Sequence, residues 1–200
     1  MKQNPAPSFV VSRETADKLD IFIALVLAWN RTVNLISKND EPQIRQRHLQ
    51  DSIALLPHLP SDFEHAIDLG SGAGFPGLVL AIATGRPFAL VEADKRKAAF
   101  LREAARATGT AVTVHAERIE HLTLTPASLI TARALAPLTT LLTWATPFLA
   151  PGGVCVFPKG RTAEEELTKA ASQWHMRVER WPNPLDPSAQ ILRLSEISRG

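Results

Sequence analysis

The sequence predicts an α/β protein: a mostly parallel, seven-stranded sheet with helices on both faces, preceded by a helical extension. Three observations carry this. From residue 65 onward, short apolar runs alternate with helix-like runs, the spacing of strands joined by crossover helices. The first of these runs, "HAIDL", leads directly into "GSGAGFPG", where four glycines fall within eight residues. Before that point, over residues 1–60, the ordered patterns are helical.

Composition bounds the answer. A chain of 200 residues, 45% hydrophobic and 21% charged, has room for one domain with a filled core. A net charge of +2 permits a nucleic-acid partner without requiring one. A single cysteine, Cys155, excludes an intrachain disulfide framework and a cysteine-rich zinc site, and it fits a reducing, cytoplasmic location. The six histidines show no metal-ligand spacing, so no metal is expected. The N-terminal "MKQNPAPSFV" lacks the apolar segment of a signal peptide. "LDIFIALVLAWN", residues 19–30, is too short to cross a bilayer, and no membrane partner is expected.

Taken in order, residues 1–8 read as disordered. Ser12 caps a helix over 13–30, whose apolar run reads as a buried face. "EPQIRQRHLQDSIALLP", 41–57, reads as a second helical stretch, with Pro42 near its start and Pro57 near its end. Residues 1–60 thus form the extension and 61–200 the sheet domain. "HAIDL" is the first strand, 76–84 a helix, "PFALVEA" a strand and 94–108 a helix. "AVTVHA" and "LITAR" are strands, 137–149 a helix, "GGVCVFP" a strand and 161–172 a helix. "WHMRVERW" and "QILRLSEI" close the sheet as a hairpin, an antiparallel edge that such sheets commonly carry.

Ligands of open α/β sheets sit beyond the carboxyl ends of the strands, where the glycine loop falls. Gly70, Gly72 and Gly74 let the backbone turn tightly and approach a ligand without a Cβ in the way. A helix starting near Pro76 would point free N–H groups at that ligand. Glu92, ending the second strand 22 residues after Gly70, stands where a carboxylate accepts both hydroxyls of a ribose. These residues indicate an adenosine-containing cofactor. A dinucleotide fold would cradle a pyrophosphate here, for which Asp68 is poorly placed. Asp68 instead suits the positive sulfonium or amino end of S-adenosyl-L-methionine, directly or through water. No Gly-Lys-Ser/Thr follows, which excludes a P-loop, and Ser71 sits in G-S-G rather than in a nucleophile elbow.

Several basic residues stand near the same rim. Lys95, Arg96 and Lys97 open a helix, where cations oppose the dipole; they serve either an RNA phosphate or a solvated surface. After the third strand, Ile119 is placed to line an adenine, and Arg118 either braces the loop or pairs with Glu120. Arg133 ends the fourth strand, facing the transferred group and the substrate, and Lys159 ends the fifth. Arg45, Arg47, His48 and Asp51 lie on the extension, Arg47 and Asp51 on one helical face. The strand-end face is therefore expected to be more basic than the net charge suggests. No nucleophilic triad is present. Methyl transfer to an atom that carries a free lone pair and no proton needs none; positioning and electrostatics suffice.

These residues resemble the bacterial small-subunit ribosomal RNA guanine-N7 methyltransferase family (RsmG, formerly glucose-inhibited division protein B). "DLGSGAGFPGLVLAI" carries most of the likeness, which runs from about residue 28 to 165. "WNRTVNLIS", "RHLQDSI", "RIE", "ARALAPL" and "PKG" resemble its other signatures. The resemblance implies a class I methyltransferase, a Rossmann-like domain with an N-terminal helical extension. It implies S-adenosyl-L-methionine as cofactor and N7 of one guanine, guanosine 527 of 16S rRNA in the small ribosomal subunit, as target. The cofactor residues it implies are Asp68, Gly70, Ser71, Gly72, Gly74, Phe75, Gly77, Glu92, Ile119, Glu120 and Arg133. Arg133 and Lys159 are implied at the catalytic centre. Arg47, His48, Arg96, Lys97, Arg118 and Lys159 are implied toward RNA, and Arg45, with Arg47, is expected to grip phosphate because an extension beside the sheet can widen an RNA surface. Leu49 replaces the usual aromatic residue, "LISKND" is looser than the usual segment, and Arg96-Lys97 reverses the usual Lys-Arg order. No obligate protein partner is expected. A non-catalytic RNA-binding or ribosome assembly protein retaining the cofactor fold is the alternative, and a small nucleotide-dependent oxidoreductase a second.

Overall fold

The computed structural model describes residues 11–200, and the expectation for residues 1–8 lies outside them. Ser12 caps α1 (Arg13–Asn30), its Oγ accepting the Thr15 N–H at 3.1 Å. Leu19, Phe22, Ile23 and Val26 recur at helical spacing and are buried. Phe22 packs against both Phe75 and Phe100, ring centroids 5.2 and 6.4 Å apart, which seats the helix on the sheet domain. The extension therefore has no core of its own: Phe22, Val26 and Leu55 share one buried cluster with Leu78, Phe88 and Leu101.

The second helical stretch is not one regular helix. It runs as a 3-10 turn (Lys38–Gln43) containing Pro42, a π turn (Arg45–Gln50), the short α2 (Asp51–Ile53) and a further 3-10 turn (Leu56–His58). Proline removes one ladder donor. A side chain from outside takes an acceptor as well: Arg133 Nη1 donates to the Arg47 carbonyl at 3.3 Å. Inserted donors of this kind are a recognised cause of irregular helical turns.

Seven strands form one sheet in the order β3-β2-β1-β4-β5-β7-β6. They are β1 (Ala66–Leu69), β2 (Phe88–Val91), β3 (Val112–His115), β4 (Ala127–Ala132), β5 (Leu149–Lys159), β6 (Trp174–Pro182) and β7 (Gln190–Arg199). The first five pair in parallel, and β7 is antiparallel to both β5 and β6, as the closing hairpin predicted. The helices α3 (Gly77–Thr84), α4 (Lys95–Thr108), α5 (Leu138–Ala145) and α6 (Ala163–Ala171) fall where the sequence places them. The helix expected over 137–149 stops short, its last turn being 3-10 (Thr146–Phe148) with Pro147 inside it.

All four residues of β1 are buried, Asp68 among them, as in a strand covered on both faces. Ile67 and Leu69 face the layer of α5 and α6, while Ala66 faces that of α1, α3 and α4. The chain leaves β1 toward β2 and β3, then returns to the other side of β1 for β4. The carboxyl ends of β1 and β4 are thus the switch point at which such sheets open a crevice. Among the described residues, no helix is long and apolar enough to cross a membrane, and no group of three or more His, Cys, Asp or Glu is placed to hold a metal ion.

Candidate active site

The crevice is a cleft of about 1350 Å³, above the ~300–1,000 Å³ of a site for one small ligand. Its floor is the glycine loop that follows β1. Gly70 and Gly72 have φ of +68° and +56°, a conformation that side chains with a Cβ adopt at a cost. A Cβ on Gly70 would lie 2.5 Å from Leu135, so this glycine serves close packing. A Cβ on Gly72 would meet only the Gly70 carbonyl, at 3.8 Å, so Gly72 presents bare backbone to open space. Ser71, expected to touch cofactor, is 1% exposed; its N–H donates to the Val91 carbonyl at 2.9 Å and its Oγ to the Asp68 carbonyl at 3.1 Å, tying the loop to β1 and β2.

Glu92 clasps this loop. Its Oε2 accepts the Gly72 N–H at 2.8 Å and its Oε1 accepts the Asp94 N–H at 2.7 Å. A carboxylate offers about four lone-pair sites, so acceptor capacity remains on each oxygen for ribose hydroxyls. Glu92, Gly72, Ile119 and Glu120 border the same cleft, a donor and acceptor set that fits an adenosine-bearing cofactor. Asp94 then caps α4, its Oδ1 accepting from the Arg96 and Lys97 N–H groups at 2.8 and 3.3 Å. This cap offsets the cations that open the helix, a feature the sequence reading missed.

Asp68 stands elsewhere than the sequence suggested. It is fully buried and off the cleft wall, behind the loop and against α3. Its Oδ1 accepts from Thr131 Oγ1 at 2.6 Å, and its Oδ2 has no hydrogen-bond partner among the described residues. Burial pushes its pKa up to about 6, against the lowering effects of Thr131, Ser71, the Gly77 amide and the Arg133 charge. A Cβ on Gly77 would lie 2.5 Å from Oδ2, so Gly77 serves this packing, and Gly74 packs likewise against Phe22 and Leu78. Any effect of Asp68, Gly74 or Gly77 on a ligand passes through the loop rather than by direct contact.

Arg133, just past β4, lines the cleft and gathers the extension around it. Its Nη1 donates to Asp51 Oδ2 at 3.1 Å and to the Arg47 carbonyl at 3.3 Å, and its Nη2 donates to His48 Nδ1 at 2.9 Å. Its guanidinium carbon lies 5.4 Å from the centre of the Phe75 ring, on which His48 also stacks, 5.2 Å between centroids. Burial and the Arg133 charge hold the His48 pKa below the ordinary histidine range, against the opposing carboxylates of Asp40 and Asp51. His48 and Phe75, expected at RNA and cofactor, are thus built into the seat of Arg133. Arg47 and Asp51 share a face but do not pair: Arg47 Nε is 3.3 Å from Asp40.

Lys159 is held still more tightly. Its Nζ donates to the Ala136 carbonyl at 2.9 Å and to Glu166 Oε2 at 2.8 Å, and the side chain is 9% exposed. Glu166 also accepts the Leu138 N–H at 2.7 Å, so this pair joins the start of α5 to α6. Lys159 lines the cleft, but its charge is neutralised where the sequence suggested a free catalytic or RNA-binding cation.

The other basic residues divide. Arg45 pairs with Asp20 of α1 at 2.8 Å, and neither Arg45 nor Arg96 lines the cleft. Lys97 and Arg118 line it and make no ion pair among the described residues. The expected basic face is not found in the wall itself: Arg47, Lys97, Arg118, Arg133 and Lys159 make five cations, against six carboxylates, Asp51, Glu92, Glu117, Glu120, Glu166 and Asp186. Trp144 of α5 and the connection between β6 and β7, through Leu185 and Asp186, complete the wall. Sequence reasoning singled out neither; the turn-rich "PNPLDP", 182–187, was the one available signal for the connection.

The family described as rRNA small subunit methyltransferase G matches residues 15–183. A protein of Granulibacter bethesdensis named ribosomal RNA small subunit methyltransferase G is 59% identical over 189 residues, covering 94% of this chain and 89% of its own. One of the same name from Rhodospirillum centenum is 51% identical over 203 residues, covering 97% and 94%. Among solved structures, cofactor-bound Rv0187 from MTB superposes with a TM-score of 0.66 at 15% identity, over 98% of this chain and 99% of that one. An O-methyltransferase from Bacillus cereus in complex with SAH gives 0.61 at 13% identity, over 95% and 94%. At such identities the likeness bears on fold alone, and the fold is that of the class I methyltransferases.

Proposed function

Because this chain belongs to the rRNA small subunit methyltransferase G family, we propose that it transfers a methyl group from S-adenosyl-L-methionine to N7 of a single guanine, guanosine 527, in 16S rRNA of the small ribosomal subunit. The observation that carries this is the clasped loop: Glu92 holds Gly72 at 2.8 Å with bare backbone facing the cleft, while Arg133 stands across the same cleft at the end of β4. Bound S-adenosyl-L-methionine supplies an electrophilic methyl group on a positively charged sulfur.

The residues of this chain then have distinct tasks. The glycine loop backbone borders the methionine end, Glu92 accepts from the ribose hydroxyls, and Ile119 with Glu120 flanks the adenine. Arg133 and Phe75 border the place where the target base enters. The bound cofactor would supply the methyl group, and guanine N7, which offers a lone pair and carries no proton, would accept it together with the positive charge. No proton leaves N7, so the chain needs no general base and works by holding the two reactants in line. Lys97 and Arg118, at the rim and without an ion pair among the described residues, grip phosphate; Arg47, 61% exposed at its side chain, adds to them. The site is cytoplasmic by virtue of this substrate.

The test is direct. Small subunits lacking the modification are incubated with the chain and S-adenosyl-L-methionine, and N7-methylguanine is mapped by its chemical lability to strand scission. Scission at guanosine 527 is the expected result. Methylation at another base overturns the target assignment. Cofactor binding without any transfer favours a ribosome assembly protein that keeps the fold.

A further inference from the structure

Behind Arg133 lies a second layer of polar contacts that the reading above does not use. Asn183, in the connection between β6 and β7, donates from Nδ2 to Asp51 Oδ1 at 2.6 Å across 132 residues of sequence. Asp51 spends its other oxygen, Oδ2, on Arg133. Asn183 is 4% exposed and anchored on both sides. Its N–H donates to the Ala189 carbonyl at 2.9 Å, and its Oδ1 accepts the Leu185 N–H at 2.8 Å. Its amide cannot swing away without leaving buried polar groups unpaired.

The far side of the guanidinium is equally defined. An arginine only donates, so His48 Nδ1 is the acceptor in their contact and the imidazole is neutral with its proton on Nε2. Of the five guanidinium N–H groups, three go to Asp51, the Arg47 carbonyl and His48. The Nε–H and one Nη2–H have no partner among the described residues. Phe75 supports the plane of the group from below.

We infer that Asp51 and Asn183 are positioning residues, which fix the Arg133 guanidinium so that its two uncommitted N–H groups meet an oxygen acceptor of the target nucleotide. The inference rests on the reading of Arg133 given under Proposed function. It makes the β6–β7 connection, which walls the cleft through Leu185 and Asp186, part of the apparatus that orients the reacting base. An ion pair serving only to fasten the extension would not need its carboxylate oriented by a buried amide from a third segment.

A double-mutant cycle on single-turnover methylation of the small subunit tests this, at saturating cofactor and RNA, with Asn183→Ala, Arg133→Ala and both together. Asn183→Ala is expected to lower the saturated rate about tenfold to a hundredfold, as small misplacements of a reacting group do. Its RNA KM and its S-adenosylhomocysteine affinity stay within about threefold of the parent. In the Arg133→Ala background the same change adds less than about twofold, because the group it acts through is gone. Losses that multiply, or a loss appearing in cofactor affinity instead of rate, overturn the inference. If thermal melting shows Asn183→Ala unfolded, Asp51→Asn, which keeps the shape and removes the charge, takes its place in the cycle with the same expected pattern. A parent chain that transfers no methyl group to guanine N7 overturns the functional reading itself, whereas an active parent with multiplying losses overturns this inference alone.

Discussion

Replacing Glu92 with glutamine separates its two tasks, clasping the loop and accepting from the ribose. The carboxylate receives one backbone N–H on each oxygen, from Gly72 at 2.8 Å and from Asp94 at 2.7 Å. Glutamine keeps one acceptor and turns an NH2 group toward the other N–H, so two donors face each other at hydrogen-bond distance. One charge-assisted bond is lost and the other becomes neutral, which costs about 1–3 kcal/mol of stability. For a chain of this size that is a fall of roughly 2–12 °C in Tm. Ribose hydroxyls lose a charged acceptor as well, about 1.5–3 kcal/mol or tenfold to a hundredfold in affinity. Thermal melting and titration calorimetry with S-adenosylhomocysteine read the two effects. A cofactor lacking both ribose hydroxyls removes the ambiguity of a distorted loop. The parent should bind that analogue at least tenfold more weakly than the full cofactor, whereas Glu92→Gln should discriminate far less. Equal discrimination by parent and variant would refute the ribose assignment and leave Glu92 as a clasp only.

Other expectations follow from the same geometry. Gly72→Val clears its neighbours, its Cβ coming no nearer than 3.8 Å to the Gly70 carbonyl, but is strained at a φ of +56°; it should lose about 1–3 kcal/mol of stability and bind S-adenosylhomocysteine more than tenfold more weakly, and a folded variant with parental affinity sinks the loop assignment. Gly77→Ala should do the reverse, pressing a methyl group to 2.5 Å from a buried carboxylate and lowering urea stability by about 1–3 kcal/mol. Asp68 has a native pKa raised to about 6, so between about pH 4 and pH 6 the unfolded chain releases a proton that the native chain keeps. Stability should therefore decline across that window as pH rises, by up to about 3 kcal/mol, and Asp68→Asn should flatten the decline. A parent profile without that decline contradicts the burial argument. Lys97→Ala and Arg118→Ala should each reduce the slope of log RNA affinity against log salt by about 0.7–0.9, with cofactor affinity unchanged. Arg45→Ala, whose guanidinium is already paired to Asp20, should change that slope less; an equal change would mean that RNA reaches the outer face of the extension.

Much of the fold was legible because its signals are local. The sheet strands betray themselves by short apolar runs, and β1 by having all four residues buried. The glycine loop and Glu92 lie within 23 residues of one another and obey the spacing of a single strand–helix–strand unit. The Asp94 cap was equally local and was overlooked because the three cations after it drew the reading toward a ligand. The π turn at Arg45–Gln50 was not legible: the guanidinium that donates to its Arg47 carbonyl arrives from the end of β4, 86 residues away.

The same distinction separates Lys159 and Arg45, which meet carboxylates, from the cations left open to a ligand. Sequence reports which cations stand at strand ends but not which carboxylates meet them. Lys159 finds Glu166 seven residues on, Arg133 finds Asp51 across 82 residues, and Asp51 in turn finds Asn183 across 132. A half-buried cation without such a partner would carry a desolvation cost that the fold does not repay. The cations that β4 and β5 deliver to the rim are therefore the ones most in need of partners, and the ones least free to bind phosphate. Arg118 lies exposed on its loop and bears no such burden, while Lys97, half-buried at the start of α4, opens onto the cleft. By this physics the residues that fix the reacting base and those that hold the RNA strand are different sets: the first is recognisable by its buried partners, the second by their absence among the described residues.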